Sequence, residues 1–337
     1  MSAASAALEP NPTAQRVPWQ LKYVALVLIW GSSFLLMKVG LEALAPMQIA
    51  TLRIVSGALV VAGVLLLRGG RLPTGRRTWG HLMVCGFLLG SFPFFLFAAS
   101  ETRIDSALAG IGNATTPIAT VLATMALLPG ERATGRRLAA VAVGFLGVVV
   151  IMQPWSLGTR PDLFGFVMAL AGGACYGVGW TYNRRFLAGA DLGGLAQPAA
   201  TLLCGTVQIV PVALLWAALQ PEGVGTLFAY GGRGVADPGV LPLLCILALG
   251  VVGTGLAYML QFDVVRAAGP LIGSTLTYLI PVVSVLLGVA VLGERLHLAT
   301  YVGFAMVLGA ALVINRRPPG PPTGRHRSGV SAARSEA

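Results

Sequence analysis

Apolar residues fill most of the chain in long runs, and short charged or Gly/Pro-rich stretches separate them. A helix that crosses a bilayer needs about 20 predominantly apolar residues. Cutting the chain at its charges and breakers predicts ten such helices, over roughly 21–41, 46–67, 79–100, 106–129, 137–153, 163–183, 197–219, 240–262, 269–292 and 299–315. The fifth and tenth are the shortest. Between the third and fourth, Glu101, Arg103 and Asp105 crowd a tight turn. Residues 1–20 and 316–337 carry no apolar run, and their polar, Pro- and Arg-containing composition predicts disordered tails.

Composition agrees with the pattern. Hydrophobic residues make up 56% of the 337 residues and charged residues 10%. A soluble chain would carry about 25% charged residues. The class is therefore an all-α integral membrane protein. The net charge of +11 falls in the short breaks and not on a foldable soluble domain, so it argues for membrane topology and against a nucleic-acid partner. Cys85, Cys175, Cys204 and Cys245 sit singly in apolar runs, with no spacing for a metal or a disulfide framework. No cofactor is implied.

The chain repeats itself. Asn113 to Glu131 and Thr277 to Glu294 are both apolar runs with an internal proline, Pro117 and Pro281. They end in Gly130-Glu131-Arg132 and Gly293-Glu294-Arg295. Upstream, Trp30-Gly31 followed by Lys38 is echoed by Tyr176-Gly177 followed by Arg184. The division is 21–153 for the first unit (helices 1–5) and 154–315 for the second (helices 6–10). With the N-terminus inside, only Lys38, Arg103, Arg160, Arg233 and Arg295 fall outside. Arg53 lies within a span, and every other Lys and Arg is inside. Such a bias assigns both termini to the cytoplasm. An odd number of spans per unit makes the two repeats inverted, and inverted repeats can exchange outward-open and inward-open forms of one fold.

Leu28-Ile29-Trp30-Gly31-Ser32-Ser33-Phe34, Leu52-Arg53 and the twice-used Pro-then-Gly-Glu pattern resemble the EamA family of the drug/metabolite transporter superfamily, over about 21–315 as two EamA units. The resemblance implies ten helices, a central cavity lined mainly by helices 1, 3, 4, 6, 8 and 9, and helices 5 and 10 outside it. It implies a multi-pass protein of the plasma (inner) membrane that exports small metabolites such as amino acids or related compounds. One departure stands out: the seventh span has Thr201 and Gln208 but no counterpart of Arg53.

Arg53 is the sharpest candidate. It lies seven residues past Pro46, about 10 Å along the helix, and a charge at that depth normally faces a bundle interior. Two roles fit it: an anchor for an anionic or zwitterionic substrate group, or a structural arginine that snorkels outward or bonds carbonyls and the Glu101/Asp105 turn. Pro117 and Pro281 each free the carbonyl four residues back, Asn113 and Thr277, for ligation or for a gate hinge. A neighbouring hydroxyl could equally satisfy those carbonyls. The remaining candidates for substrate contact are Trp30, Ser33, Asn113, Tyr176, Trp180, Tyr258, Gln261 and Tyr278. Trp30 and Tyr176 could form facing aromatic walls, although small hydroxyls and aromatics also serve packing and the interface. Glu131 and Glu294 read as structural, each favouring the N-terminal dipole of the helix that follows. Gly144, Gly147, Gly303 and Gly309 read as close-packing positions and a possible homodimer surface.

An enzyme would need a nucleophile, metal ligands or paired acids on one face. His81 and His297 fall near opposite faces and His326 in the tail, so no catalytic set assembles. A non-transporting scaffold and a facilitative, channel-like protein are the alternatives to a carrier. A channel's charged rings or filter sequence are missing. No ATP-binding motif occurs. Coupling stays open between facilitated export and antiport through Asp263 or the Glu101/Asp105 turn.

Overall fold

The computed structural model describes residues 17–128, 134–153, 162–188, 190, 192–231, 238–268 and 276–315. The two expected tails, apart from the few residues that adjoin the first helix, and the Gly130-Glu131-Arg132 motif lie outside the described residues, as do the side chains of Thr277 and Tyr278. Helices account for nearly all of the described chain. In order they are Trp19–Gly31 (α1), Ser33–Gly40 (α2), Pro46–Leu67 (α3), Arg76–Gly86 (α4), Phe92–Ser100 (α5), Ser106–Asn113 (α6), Thr116–Leu127 (α7), Gly135–Met152 (α8), Leu163–Phe186 (α9) and Ala196–Ala218 (α10). Leu241–Gly250 (α11), Ala257–Ala268 (α12), Leu276–Leu292 (α13) and Leu298–Asn315 (α14) complete them, with a short 3₁₀ turn at Gly223–Phe228.

Among the described residues, six helices are long and apolar enough to cross a membrane: Trp19–Gly40, Pro46–Leu67, Arg76–Ser100, Leu163–Phe186, Ala196–Ala218 and Leu241–Gln261. Leu138–Met152, Leu279–Leu292 and Leu298–Val313 are shorter apolar helices. The fourth expected span departs most from expectation. It is one apolar run in sequence, but the chain breaks at Ala114 and Thr115 into α6 and α7. Pro117 therefore stands in the first turn of α7, where no N–H donor is required, and not in mid-helix. Pro281 does lie inside its helix, α13.

Local chemistry explains the helix starts. Pro46 opens α3, and the N–H of Ala45 donates to Oε1 of Gln48 at 2.7 Å. Asp162 caps α9 by accepting from the N–H of Gly165 at 2.6 Å. α6 receives its cap from far away. Glu294 accepts from the N–H of Ser106 at 2.8 Å, from its hydroxyl at 2.7 Å and from the N–H of Ala107 at 3.0 Å. The carboxylate does serve a helix N-terminus. It serves that of α6, however, and not that of α14, which follows it in sequence.

Two unwound turns interrupt the bundle. A π turn at Phe87–Ser91 joins α4 to α5, and another at Val251–Leu256 joins α11 to α12. They are as far apart in sequence as Pro117 and Pro281, and the same separation relates Gly86 to Gly250, which end the preceding helices. Both glycines are contact points between helices. A Cβ at Gly86 would come within 2.6 Å of the backbone nitrogen of Gly205 on α10, and one at Gly250 would clash with Ser56 on α3. The two halves thus repeat a helix crossing as well as a sequence.

The largest core gathers Leu26, Met37, Ile49, Phe97, Ile111, Phe166 and Ile246. A second lies between α3 and α10, with Ile54, Phe94, Leu202 and Tyr258. α8 and α14 cross backbone to backbone, because a Cβ on Gly147 would lie 2.8 Å from the carbonyl oxygen of Gly303. Gly147 and Gly303 are spent on this internal crossing and offer no dimer surface, whereas Gly309 faces open space.

Candidate functional site

Arg53 projects from the middle of α3 and is buried at 7% exposure. Its Nε donates to Oγ1 of Thr254 at 3.1 Å, and its guanidinium carbon sits 3.9 Å from the centroid of the Phe94 ring. A cation over an aromatic face is favourable, more so away from water. The two terminal nitrogens of the fork make no hydrogen bond among the described residues. The side chain neither snorkels to a surface nor bonds Glu101 or Asp105, and its two prongs keep their donor capacity.

Thr254 belongs to the second π turn and is fully buried; its hydroxyl also donates to the carbonyl of Leu249 at 3.2 Å. The first π turn has a related arrangement. Ser91 donates to Oε1 of Gln208 at 3.1 Å, while Nε2 of Gln208 donates to the carbonyl of Met83 at 2.8 Å. Gln208 on α10 therefore answers the hydroxyl of one π turn as Arg53 on α3 answers that of the other. Only one of the two carries charge. Sequence comparison missed this because the two residues are not at matched positions in their helices.

A π turn also leaves carbonyls that the regular helix would have used. The N–H of the Trp30 indole donates to the carbonyl of Gly253 at 3.0 Å, and the Tyr258 hydroxyl donates to that of Leu89 at 3.1 Å. Gly253 and Leu89 occupy equivalent places in the two turns. Trp30 and Tyr258 thus come together around the same pair of interruptions as Arg53, and Phe94 stands one turn beyond the first of them. The π turns themselves had no sequence signal beyond Gly86-Phe87 and Gly250-Val251 at matching places.

The other candidates fall as follows. Tyr176 is part-buried and stacks on Phe97, with ring centroids 6.0 Å apart. Trp180, one turn on, is 37% exposed. Oε1 of Gln261 is buried without a hydrogen-bond partner. The Ser33 hydroxyl is turned back on its own helix, donating to the carbonyl of Ile29 at 3.1 Å. Asn113 is buried, and its carbonyl is not bare: the Thr116 hydroxyl donates to it at 2.8 Å. The carbonyl four residues before Pro117 therefore already accepts from a neighbouring hydroxyl. Asp263 is occupied in an ion pair with Lys22 at 2.6 Å, tying α1 to α12.

Away from this cluster, a surface cavity of about 310 Å³ is lined by Arg77, His81, Arg185 and Phe186 at the start of α4 and the end of α9. It shares no residue with the Arg53 cluster. Among the described residues no group of His, Cys, Asp and Glu could hold a metal ion.

The model of the EamA-like transporter family matches the chain twice, over residues 18–153 and 163–316. The chain belongs to the EamA-like transporter family. As such it is a multi-pass membrane protein of the transporter kind. Its relatives include the uncharacterized inner membrane transporter YedA of Escherichia coli K12, 23% identical over 290 residues that cover 86% of this chain and 88% of that one. Protein PecM of Dickeya dadantii is 27% identical, covering 85% and 88%. A probable amino-acid metabolite efflux pump of Escherichia coli K12 is 23% identical, covering 86% and 92%. A solved crystal structure, 24% identical, superposes with a TM-score of 0.57 over 88% of this chain and 95% of its own, a likeness of fold.

Proposed function

We propose that this EamA-like transporter is a secondary carrier that exports small metabolites, such as amino acids or related compounds, across the plasma membrane by alternating access. In this reading ten helices form two inverted five-helix repeats, with both termini cytoplasmic. The rods α1–α2, α4–α5, α6–α7 and α11–α12 each count as one crossing, interrupted at a break or a π turn. Interrupted helices paired across two halves are the arrangement in which carriers bind substrate.

One observation carries the reading: a buried guanidinium whose fork is unspent. An arginine in an apolar core is costly unless its charge has work to do. Arg53 is held by one bond and one ring, with two prongs left for an anionic oxygen pair, the geometry of a carboxylate. Trp30, Tyr258 and Gln261 would surround the rest of the substrate. The name of the amino-acid metabolite efflux relative agrees with a substrate that carries a carboxylate.

Uptake into vesicles of the reconstituted protein, with a panel of amino acids, their derivatives and neutral metabolites of similar size, tests this. Saturable uptake confined to carboxylate-bearing members is expected. No uptake of any member would sink the carrier reading in favour of a scaffold, and non-saturable flux would favour a channel-like protein.

A further inference from the structure

Glu101 follows the last turn of α5, and its side chain is 1% exposed. Both of its carboxylate oxygens are without a hydrogen-bond partner. None of the donors around it bonds it. Lys38, from α2, spends its ammonium on two backbone oxygens, those of Glu101 at 2.8 Å and Ile104 at 3.0 Å. The free N–H groups at the start of α6 are taken by Glu294. Arg103 turns outward to Asp162 at 3.5 Å. Arg53 gives its Nε to Thr254. A carboxylate ion left bare in such a place is far costlier than a neutral carboxyl group.

We propose that Glu101 is a proton-binding site, occupied by a proton in this conformation and linked electrostatically to the anion-binding fork of Arg53. This rests on the reading of Arg53 given above. Two carboxylates at this end of the bundle then divide their roles by environment. Glu294 accepts three hydrogen bonds and caps α6, while Glu101, with none, is the proton carrier. The charges acting on Glu101 are Lys38 from α2 and Arg53 from α3, which favour ionisation, and Glu294 from the turn after α13, which opposes it. Burial is the largest influence and pushes the Glu101 carboxyl well above the usual range. Asp105, half-buried on the same turn, is also pushed up, by burial and then by Glu294, against Lys38.

The linkage has a sign. A substrate anion on Arg53 cancels a positive charge that favours ionised Glu101, so binding of the anion and retention of the proton reinforce each other. Reciprocity requires the same coupling in both directions. Asp263, paired with Lys22, has no comparable role. The sequence left open facilitated export and antiport through Asp263 or the Glu101/Asp105 turn, and burial without partners favours Glu101 over Asp263 as the proton site.

Infrared titration of the full-length purified protein in detergent reads this without any substrate. At about pH 7, far above the carboxylate range of about 4, the wild type is expected to give a carboxylic-acid carbonyl band that Glu101→Gln abolishes. Glu294→Gln should lower the midpoint of that band, and Arg53→Gln should raise it, each by about one pH unit. Arg53→Lys, which keeps the charge, should leave it in place. If Arg53→Gln does not fold, Lys38→Met replaces it, with the same upward shift expected. A spectrum in which Glu101→Gln removes no such band overturns the proposal. So does a midpoint indifferent to all three neighbouring charges. A Glu101-dependent band together with failed vesicle uptake would leave the proton site standing and remove the carrier reading instead.

Discussion

The Nε of Arg53 donates to the hydroxyl of Thr254, 201 residues further along the chain. The bond joins the second expected span to the π turn of the eighth, and so joins the two family units at their least regular point. It also fixes the guanidinium plane over Phe94, which decides where the two free prongs point. A flexible arginine would lose rotamer entropy on binding a ligand, and one already held loses less.

Charge and fork geometry can be separated at this position. Arg53→Lys should retain binding of a carboxylate substrate at a level reduced by about tenfold, since charge remains without the two-pronged donor set. Arg53→Gln should lose binding to a greater degree. Thermal stability and substrate binding are measured on the same detergent samples. Normal affinity in a well-folded Arg53→Gln protein would contradict the anchor role.

The two prolines should now behave differently. Pro117 stands in the first turn of α7 after a break that exists without it, so Pro117→Ala should leave the transport rate within about twofold, and any gain in stability should be small. Pro281 is inside α13. Pro281→Ala restores a main-chain donor there and should straighten the helix, slowing exchange between open states. Transport rate and cysteine accessibility across the bundle check both, and equal behaviour of the two variants would count against a hinge at Pro281.

Glu294 ties the turn after α13 to the start of α6. Glu294→Ala removes three accepted bonds and should cost about 1–3 kcal/mol, read as a lowered melting temperature. Glu294→Gln keeps oxygen on one side only and should fall between. A melting temperature unmoved by Glu294→Ala would show that water replaces the cap.

The crossing of α8 and α14 admits no side chain. Gly147→Leu or Gly303→Leu should lower folded yield sharply, because the opposing atom is backbone and cannot turn aside. Gly309→Leu, on an open face, should be tolerated by the monomer. Size-exclusion profiles of all three variants provide the check. A dimer abolished by Gly309→Leu alone would place the interface on that face.

Topology rests on charge bias and is checked directly. Reporters fused at the C-terminus and in the 68–78 loop should read as cytoplasmic, and one near 222–237 as external. A C-terminus found outside would remove the inverted arrangement.

The sequence by itself determined the class, the approximate helix bounds and the duplication, because an apolar run of bilayer length has few structures open to it in lipid. α3 begins at Pro46 and ends at Leu67 as its hydrophobic run predicts. It also singled out Arg53, since one charge in an apolar run needs no fold to be conspicuous. What it could not decide were the features that depend on a partner from elsewhere in the chain. Pro117 marks a disturbance near Ala114 and Thr115 in the sequence, but whether it kinks one helix or opens a second is decided by how α6 and α7 pack. Hydrophobicity reports the transfer of a segment into lipid, and not the hydrogen bonds inside it. The two π turns, the indole on Gly253 and the phenol on Leu89 join residues far apart in sequence. Glu294 looked like a cap for the helix beside it and became one for α6. Glu101 stood out in the sequence only as part of a crowded turn, and the fold alone buries it there with neither oxygen hydrogen-bonded.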